Sequence, residues 1–474
     1  MPCTSFSGVM GLTALQTGIP SPYSKQPMLG SPGRDKVKSS RYNLLIPAGG
    51  GRTVLFNTLY GSVSVLEEDE YAETTAILNG TQPGAQSETL YTQLSAQKHL
   101  IADEVNEFAI LENRKRAGIN DSNTLDVIVL PTLNCNFRCV YCYEDHIPSK
   151  MSPDTVAALK KWLQAEIPLH KLVMLHWFGG EPLLEHDTVL SVSRHVKTIA
   201  ERCGVPCVLH MTTNGYLLTA KRAKELIAAG IRDYQITLDG PPRTHDKLRV
   251  LKSGSGTFKR VFDNVCILAT ADKGVKISLR VNFNHTNLDS IPELLEMFPL
   301  PLRPQMRVVF EPIFGDRALN AICNIAPATI SGKLAQFSEK AAALGYDIVF
   351  GVSAVHPGKL VYCYAERQNQ YMFNFDGNVF KCSVCDFKPE HRVGRLGLDG
   401  IVRKDEAEWQ KWTDGELFAL KCRSCPYLPL CMGGCRKRQK DSDSSEECAL
   451  VATNASYLLK HIALGNLGAV FNRV

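Results

Sequence analysis

Short apolar runs alternate with longer segments of helical periodicity through the middle of the chain, from about residue 125 onward. Strands are predicted at 127–130, 172–177, 208–211, 234–238, 277–281 and 307–311, and helices at 154–165, 188–201, 220–229 and 258–270. Strands that alternate with helices are joined by right-handed crossovers, so this order predicts an α/β fold with a parallel sheet. Functional residues are then expected at the carboxyl ends of the strands.

The two ends of the chain follow other patterns. Residues 1–40 are rich in Gly, Pro and Ser without periodicity, which predicts a flexible arm. Residues 41–118 predict a small α+β domain of three strands followed by helices, with strands at 42–47, 54–58 and 62–66, and helices from 67 and over 100–117. A connecting helix region is expected at 321–354 and a C-terminal helix and tail at 451–474. From 355 to 450 short strands and many turns predict a region that needs metal to fold.

Composition excludes several classes of protein. No apolar run approaches the ~18 residues that span a bilayer, and no secretory signal pattern is present. The net charge of +5 is small and no basic run stands out, so neither a membrane nor a nucleic acid is expected as a partner. We therefore expect a cytoplasmic protein. Its sixteen cysteines then favour metal ligands over disulfides, and they cluster at 135–142 and 363–448.

The first cysteine cluster has the spacing C-x3-C-x2-C and follows the predicted strand at 127–130. Its members are Cys135, Cys139 and Cys142. Three thiolates at this spacing can hold three corners of a cubic [4Fe–4S] cluster and leave one iron without a protein ligand. The alternative is a structural zinc site with His146 as its fourth ligand.

This loop, with Tyr141 as the aromatic residue before the third cysteine, resembles the radical S-adenosylmethionine (SAM) superfamily over about 125–315. The resemblance implies that SAM chelates the open iron and that one electron converts it to a 5′-deoxyadenosyl radical. The four residues after the second strand match the family's GGEP motif, which receives the SAM amino group: Gly179, Gly180, Glu181 and Pro182. By the same resemblance, four further residues line the SAM ribose and carboxylate: Thr213, Asn214, Asp239 and Arg280. Turns at Asn214 and Asp239 and an ion pair at Arg280 are the alternatives.

The C-terminal cysteines match, at every spacing, the SPASM domain of radical SAM peptide and protein maturases. They are Cys363, Cys382, Cys385, Cys422, Cys425, Cys431, Cys435 and Cys448. The resemblance implies two auxiliary [4Fe–4S] clusters, the first on Cys363, Cys382 and Cys435, and the second on Cys422, Cys425, Cys431 and Cys448. Cys385 is the predicted fourth ligand of the first cluster, and a free Cys385 with an open iron is the alternative.

Together these observations predict a partial (β/α)6 radical SAM barrel at 119–320, a small N-terminal α+β domain and a C-terminal SPASM domain at 355–450. The predicted cofactors are SAM and three [4Fe–4S] clusters. The N-terminal domain resembles elements that bind a leader peptide by adding a strand to a sheet edge, and a cap on the barrel is the alternative. Asp386 is a candidate general base, with a turn or capping role as the alternative.

The function expected from the resemblance is oxidative modification of a ribosomal precursor peptide, by a crosslink or a related change. A flavodoxin or ferredoxin would supply single electrons. A sulfatase-type maturase that forms formylglycine is the second hypothesis. A radical SAM enzyme acting on a small molecule and a non-catalytic iron–sulfur carrier are further alternatives.

Overall fold

The computed structural model describes residues 36–82, 87–313, 325–348 and 358–437, residue 448, and the pairs 451–452, 455–456 and 459–460. The described residues divide into two compact units. We call residues 120–313, 325–348 and 364–415 the sheet unit. The terminal unit consists of the described residues of 36–119, 358–363 and 416–460. Most of the predicted arm at 1–40 and of the tail at 451–474, and much of the connecting region at 321–354, lie outside the described residues.

The N-terminal part of the terminal unit contains strands and helices in mixed order. The strands are β1 (Val37–Ser39), β2 (Asn43–Gly49), β3 (Arg52–Asn57), β4 (Val63–Leu66) and β5 (Leu100–Ala102), and the helices are α1 (Glu68–Leu78), α2 (Glu88–Ala96) and α3 (Glu107–Ile119). β2, β3 and β4 form an antiparallel sheet, and β1 pairs antiparallel with β5. The helix expected over 100–117 begins only at Glu107, and Leu100–Ala102 pair with β1 instead.

Apolar side chains of the terminal unit pack against part of each face of the three-stranded sheet, while Leu45 of β2 and Val65 of β4 stay exposed. One face packs against the C-terminal residues Leu430, Val451, Ala455 and Leu459. The other packs against residues of α1, α2 and β5. The N-terminal residues thus form one compact unit with C-terminal residues, whereas the sequence pattern predicts a separate domain at 41–118.

The sheet unit contains the alternating strands and helices that the sequence predicts. The strands are β6 (Thr124–Val129), β7 (Leu172–Trp177), β8 (Cys207–Thr213), β9 (Ile231–Thr237), β10 (Lys276–Phe283), β11 (Met306–Pro312) and β12 (Asp347–Ile348). The helices are α4 (Pro153–Glu166), α5 (His186–Cys203), α6 (Ala220–Ala228), α7 (Pro242–Leu248), α8 (Phe258–Ala271), α9 (Ile291–Met297) and α10 (Pro327–Ala343). β6 to β12 pair in parallel and in chain order, which confirms the predicted α/β fold.

Part of the cysteine-rich region extends this sheet. Its elements are β13 (Gln370–Phe373), β14 (Asn378–Phe380), β15 (Gly394–Leu396), β16 (Val402–Lys404) and α11 (Glu406–Thr413). β13 pairs in parallel with β6, and β14 to β16 follow as an antiparallel meander. α12 (Leu428–Cys431) belongs to the terminal unit. The predicted domain at 355–450 is therefore divided between the two units.

The two faces of the central strands differ in chemistry. Trp177 Nε1 donates a hydrogen bond to Ser193 Oγ of α5 at 2.9 Å, so its face of β7 packs on the helices. The opposite face carries the buried polar residues Asp126, His176 and His210. His176 Nε2 lies 3.4 Å from Asp126 Oδ1, and burial lowers the pKa of His210 to about 4. Polar side chains are therefore buried on the face of these strands that lies opposite the helices. In the described part of the chain, no helix combines the length and apolarity required to cross a bilayer.

Candidate functional site

The loop that follows β6 carries the first three cysteines and is fixed by backbone hydrogen bonds. Arg138 N donates to Val250 O at 2.8 Å, and Val140 N donates to Leu248 O at 3.0 Å. Between these residues and the first cysteine, Phe137 is buried and forms a β-bridge with Leu251. The cysteine loop is thus held against the last residue of α7 and the segment that follows it.

The three thiols lie close enough to influence one another. Burial raises the pKa of Cys135, and the nearby thiols of Cys139 and Cys142 raise it further. Burial likewise raises the pKa of Cys139, and that of Cys142 to about 12. Thiolates at such a place require a neighbouring positive charge, which a bound metal centre supplies.

The zinc alternative requires a fourth ligand beside the three cysteines. Cys142 Sγ lies 3.5 Å from His146 Nε2, a separation that a hydrogen bond and two ligands of one tetrahedral zinc ion both give, so this distance alone does not distinguish them. Among the described residues, no three His, Cys, Asp or Glu side chains are placed to hold a single metal ion. A cubic cluster spreads its thiolate ligands farther apart than one ion does, so the three thiols fit a cluster better.

The Gly-Gly-Glu-Pro motif lies directly against the cysteine loop. Gly180 N donates to Thr132 O at 3.1 Å, and Glu181 N donates to Asn134 O at 2.9 Å. A Cβ atom on Gly179, which has φ +110°, would lie 2.3 Å from Thr132 O, and one on Gly180 would lie 2.3 Å from Asn134 O. Both glycines are therefore required for the close approach of the two backbones.

The Glu181 carboxylate connects this motif to the end of β8. It accepts hydrogen bonds from Thr213 Oγ1 at 2.7 Å, Asn214 N at 2.8 Å and Leu183 N at 3.0 Å. Burial raises the pKa of Glu181, and the three hydrogen bonds oppose that rise. The resemblance predicts a direct contact between this residue and SAM, and the observed bonds show in addition that its side chain positions Thr213 and Asn214.

Asn214 brings the end of β8 to the first cysteine. Its Nδ2 donates to Asn136 Oδ1 at 2.8 Å and lies 3.8 Å from Cys135 Sγ. Tyr216 N donates to the Asn214 Oδ1 at 3.0 Å, which is the turn that the sequence offers as an alternative. Asn214 therefore forms this turn and also contacts the cysteine loop.

Tyr141 is fixed by a network at the ends of β9 and β10. Its hydroxyl donates to Asp239 Oδ2 and accepts from Arg249 Nη1 at 2.7 Å and from Asn282 Nδ2 at 3.1 Å. Asn282 N also donates to Asp239 Oδ1 at 2.8 Å, and Asn282 Oδ1 accepts from Arg280 Nε at 2.7 Å. The network joins three predicted residues, and it includes two that the sequence analysis missed, Arg249 and Asn282.

The cysteine loop and the ends of β7, β8 and β9 thus meet at one place. In agreement with this geometry, residues 129–298 match the sequence profile of the Radical SAM superfamily. Residues 129–298 form a radical SAM domain. The superfamily implies a [4Fe–4S] cluster and SAM as cofactors of this domain. The three neighbouring thiols fit the cluster, and the Gly-Gly-Glu-Pro motif that packs against their loop is placed to contact SAM beside it.

Relatives support the domain over part of the chain. This chain is 26% identical over 166 residues to the Fe-coproporphyrin III synthase of Methanosarcina barkeri. The match covers 35% of this chain and 39% of the relative. The chain is 34% identical over 178 residues to the GTP 3′,8-cyclase of Rhodopseudomonas palustris, covering 36% and 48%. The chain therefore spans less than half the length of these curated relatives.

One solved structure is similar to a larger part of the chain than these relatives are. The structure of anSMEcpe with bound AdoMet and a Kp18Cys peptide has a TM-score of 0.58 and 17% identity. The similarity covers 74% of this chain and 100% of that one. At this identity the likeness shows a shared fold and extends it beyond the radical SAM domain.

The C-terminal cysteines are divided between the two units. Cys382 and Cys385 belong to the sheet unit, and the terminal unit holds Cys363, Cys422, Cys425, Cys431, Cys435 and Cys448. Val384 N donates to Cys382 Sγ at 3.4 Å, and the Cys385 thiol donates to Cys382 O at 2.6 Å. The four residues predicted for the second auxiliary cluster thus all belong to the terminal unit.

The Asp386 carboxylate interacts with two basic side chains of its own loop. Its carboxylate lies 2.7 Å from Lys388 Nζ and 2.6 Å from His391 Nδ1. Partial burial raises the pKa of Asp386, but these two partners outweigh that effect and lower it below the usual range. A carboxylate with a lowered pKa is a weak general base, so the contacts favour the structural alternative.

Proposed function

We propose that the protein is a radical SAM enzyme that oxidatively modifies a ribosomally made peptide. The observation that carries the proposal is the convergence of the cysteine loop, the Gly-Gly-Glu-Pro motif, Asn214 and the Tyr141–Asp239 network at one edge of the sheet. The fold similarity to anSMEcpe, solved with a peptide and AdoMet, supports a peptide as the substrate.

The residues have separable roles in this proposal. Cys135, Cys139 and Cys142 would hold the cluster. When bound, the cluster and SAM supply a 5′-deoxyadenosyl radical that removes a hydrogen atom from a C–H bond. Gly179 and Gly180 let the motif approach the backbone of the cysteine loop, and Glu181 holds the end of β8 in position. An external one-electron donor such as a flavodoxin or ferredoxin would start each cycle.

The small sheet of the terminal unit supports the proposal that the substrate is a peptide. Its sheet has the order β2–β3–β4, so β2 and β4 are the outer strands. A strand at the edge of a sheet can pair with an added strand through its main chain, so β2 and β4 are the two candidates. A leader peptide would bind there through main-chain hydrogen bonds.

The proposal is tested by the mass of a candidate peptide, for which a short peptide encoded beside the enzyme is the first choice. The peptide is incubated anaerobically with wild-type enzyme, Cys139→Ala and, as a matched control, Cys203→Ala, which removes an exposed thiol at the end of α5. A loss of about 2 Da with wild type and Cys203→Ala, but not with Cys139→Ala, supports two-electron oxidation of the peptide.

Other outcomes separate the alternatives. An unchanged peptide with continued release of 5′-deoxyadenosine excludes that peptide and favours a sulfatase-type or small-molecule substrate. A larger defined loss indicates excision or decarboxylation instead of a crosslink. If wild-type enzyme loaded with iron and sulfide releases no 5′-deoxyadenosine from SAM, the proposed activity is wrong and a non-catalytic iron–sulfur role is favoured.

A further inference from the structure

A carboxylate lies at the carboxyl end of β11, where the parallel sheet places functional residues. Glu311 is paired in register with Asn282 of β10. Ile313 N donates to Phe283 O at 2.8 Å, so the pairing of the two strands continues past Glu311 and fixes its backbone. Neighbouring strands are roughly 4.8 Å apart, so the backbone of Glu311 lies one strand spacing from that of Asn282.

The side chain of Glu311 points to the face of the sheet that lies opposite the helices. The preceding residue, Phe310, packs on Phe337 of α10, with ring centroids 5.3 Å apart. Successive side chains of a strand point to opposite faces, so Glu311 faces away from α10. Asn282, its partner in register, donates a hydrogen bond to the Tyr141 hydroxyl on that face at 3.1 Å. Glu311 is therefore beside the network that fixes the cysteine loop.

The carboxylate of Glu311 differs from those of Glu181 and Asp239, which are held by hydrogen bonds of the site. In the part of the chain that the structure describes, the Glu311 carboxylate forms no hydrogen bond and no ion pair, and the residue is partly accessible. Polar groups that are withdrawn from water usually have a partner. This carboxylate is thus available to a group of the substrate.

Electrostatics make Glu311 a better base than Asp386. Burial raises the pKa of Glu311, and the Arg280 guanidinium on the neighbouring strand opposes part of that rise. Arg280 also interacts electrostatically with Asp239 and Tyr143. A general base works best when its pKa is close to the operating pH, and the pKa of Asp386 moves in the opposite direction.

Arg280 is the charged side chain that faces Glu311 from the described elements packed against β11. Asp347 of β12 pairs instead with Arg307, at 3.0 Å, near the opposite end of β11. The helix α10 covers the other face of the strand and carries three charged residues on that side: Lys333, Glu339 and Lys340. Burial and Arg280 therefore govern the protonation of Glu311.

We propose that Glu311 is the base that takes a proton from the peptide after its hydrogen atom has been removed. The proposal rests on the proposed function. There a C–H bond of the peptide breaks and its hydrogen atom goes to the 5′-deoxyadenosyl radical. A second bond to hydrogen then breaks, and its proton goes to the Glu311 carboxylate. One electron of this bond pairs with that of the carbon radical to form the new bond, and the other passes to a one-electron acceptor of the iron–sulfur class. The peptide loses two hydrogen atoms in all.

The test separates removal of the hydrogen atom from removal of the proton. Glu311→Gln removes the base and keeps the shape of the side chain, Glu311→Asp keeps a carboxylate, and the exposed Glu201→Gln of α5 is the matched control. Each full-length enzyme is loaded with iron and sulfide, given SAM and a reductant, and incubated anaerobically with the short peptide encoded beside it. The amounts of 5′-deoxyadenosine and of modified peptide are measured between about pH 5 and pH 9, on either side of the ideal range for a base at neutral pH.

We expect Glu311→Gln to release 5′-deoxyadenosine at nearly the wild-type rate, because removal of the hydrogen atom needs no base. The ratio of modified peptide to 5′-deoxyadenosine should fall about a hundredfold at neutral pH, the lower end of what general base catalysis contributes. In the wild type this ratio should rise with pH as Glu311 loses its proton, with a midpoint above the ordinary value of about 4.3. The rise should be absent in Glu311→Gln and partly restored in Glu311→Asp, and Glu201→Gln should match the wild type.

Two results would overturn the assignment of Glu311. An equal ratio in wild type and Glu311→Gln, with the same pH dependence, would show that another group takes the proton. Parallel loss of both products in Glu311→Gln would show that the residue maintains the shape of the site instead of receiving a proton.

Failure of the proposed function gives a different pattern, because it is already visible in the wild type. If the wild-type enzyme releases 5′-deoxyadenosine but modifies no peptide, the peptide substrate is wrong and the role of Glu311 is wrong with it. If the wild type modifies the peptide and Glu311→Gln does so at the same ratio, the substrate proposal stands and only the assignment of Glu311 fails.

Discussion

The two cysteine sites differ in where their surroundings come from. Around the Cys135 loop, most of the contacting groups follow β7, β8 and β9 in chain order, so the parallel sheet brings them together. Around Cys422 and Cys425, the contacting groups come from the opposite end of the chain. Thr58 Oγ1 donates to Pro426 O at 2.5 Å, and Lys115 donates to Met432 O at 2.6 Å. A regular fold builds the first site, and individual long-range contacts build the second.

The largest effect is expected where the regular site depends on backbone contact. Gly180→Ala places a Cβ atom 2.3 Å from Asn134 O and 2.5 Å from Leu133 O, and neither atom can move without displacing the cysteine loop. Because a shift of about 1 Å at a reacting centre can cost 10²-fold in rate, we expect about a hundredfold loss of 5′-deoxyadenosine formation.

Gly332→Ala in α10 is the control for this substitution, since a Cβ atom there meets nothing within 4 Å. Its rate should match that of the wild type. Wild-type rates in Gly180→Ala would show that the motif and the cysteine loop are not held as closely as described.

A smaller effect is expected at the side chain that joins β7 to β8. Glu181→Gln keeps the shape of the side chain. It replaces one of the two oxygens that accept the three hydrogen bonds with an NH2 group, which is a donor. The new amide leaves one buried donor without an acceptor, which should lower the free energy of unfolding of the sheet unit by about 2 kcal/mol. Denaturant titration measures this cost, with the exposed Glu201→Gln as control. A cost equal to that of the control would mean that the carboxylate does not organise the site.

The stability of the terminal unit should fall in acid because of His99. This residue is buried, its Nδ1 lies 2.9 Å from Asn43 Oδ1, and burial lowers its pKa to about 4. An unfolded histidine titrates near 6.5, so between pH 6.5 and 4 the unfolded chain binds a proton that the folded unit does not. Stability is therefore complete above pH 6.5 and falls as the pH drops towards 4, by about 2 kcal/mol at pH 5.

Hydrogen exchange of the amides in β5 at pH 7 and pH 5 measures this effect locally. His99→Gln, compared with the wild type at each pH so that intrinsic exchange rates cancel, should remove most of the difference. An equal pH dependence in both proteins would assign the acid response to other groups.

The smallest effect is expected for Asp386→Asn. The carboxylate pairs with Lys388 and His391, both partly exposed, and such pairs contribute about 0–1 kcal/mol. Peptide modification should stay within about twofold of the wild-type rate, because a base in this environment is weak. A hundredfold loss of modification with unchanged 5′-deoxyadenosine release would instead establish the catalytic role that the sequence suggests.

The first site could be predicted because periodicity gives both the fold and the place of each motif within it. The six predicted strands coincide with β6 to β11, and Glu181, Asn214 and Asp239 follow strand ends as expected. Arg249 could not be predicted in the same way. It follows the short helix α7, and only folding of the cysteine loop onto that segment brings it to Tyr141.

The surroundings of the second site could not be predicted. Cysteine spacing indicates ligands but not the residues that pack beside them. The division of 355–450 between two units depends on β13 adding to β6, a pairing between residues about 240 positions apart. Lys115 looks in the sequence like an ordinary charged residue of α3, and only its burial against Phe418 distinguishes it.

The composition of the terminal unit has a consequence for biosynthesis. The apolar face of β2 and β3 is covered by Leu430, Val451, Ala455 and Leu459, which the ribosome adds some 400 residues later. At about 5–20 residues per second, that face stays uncovered for roughly 20 to 80 seconds. During this interval the nascent chain exposes a surface that favours aggregation, so a chaperone that shields β2 and β3 should increase the yield of soluble protein more than one that acts on the sheet unit.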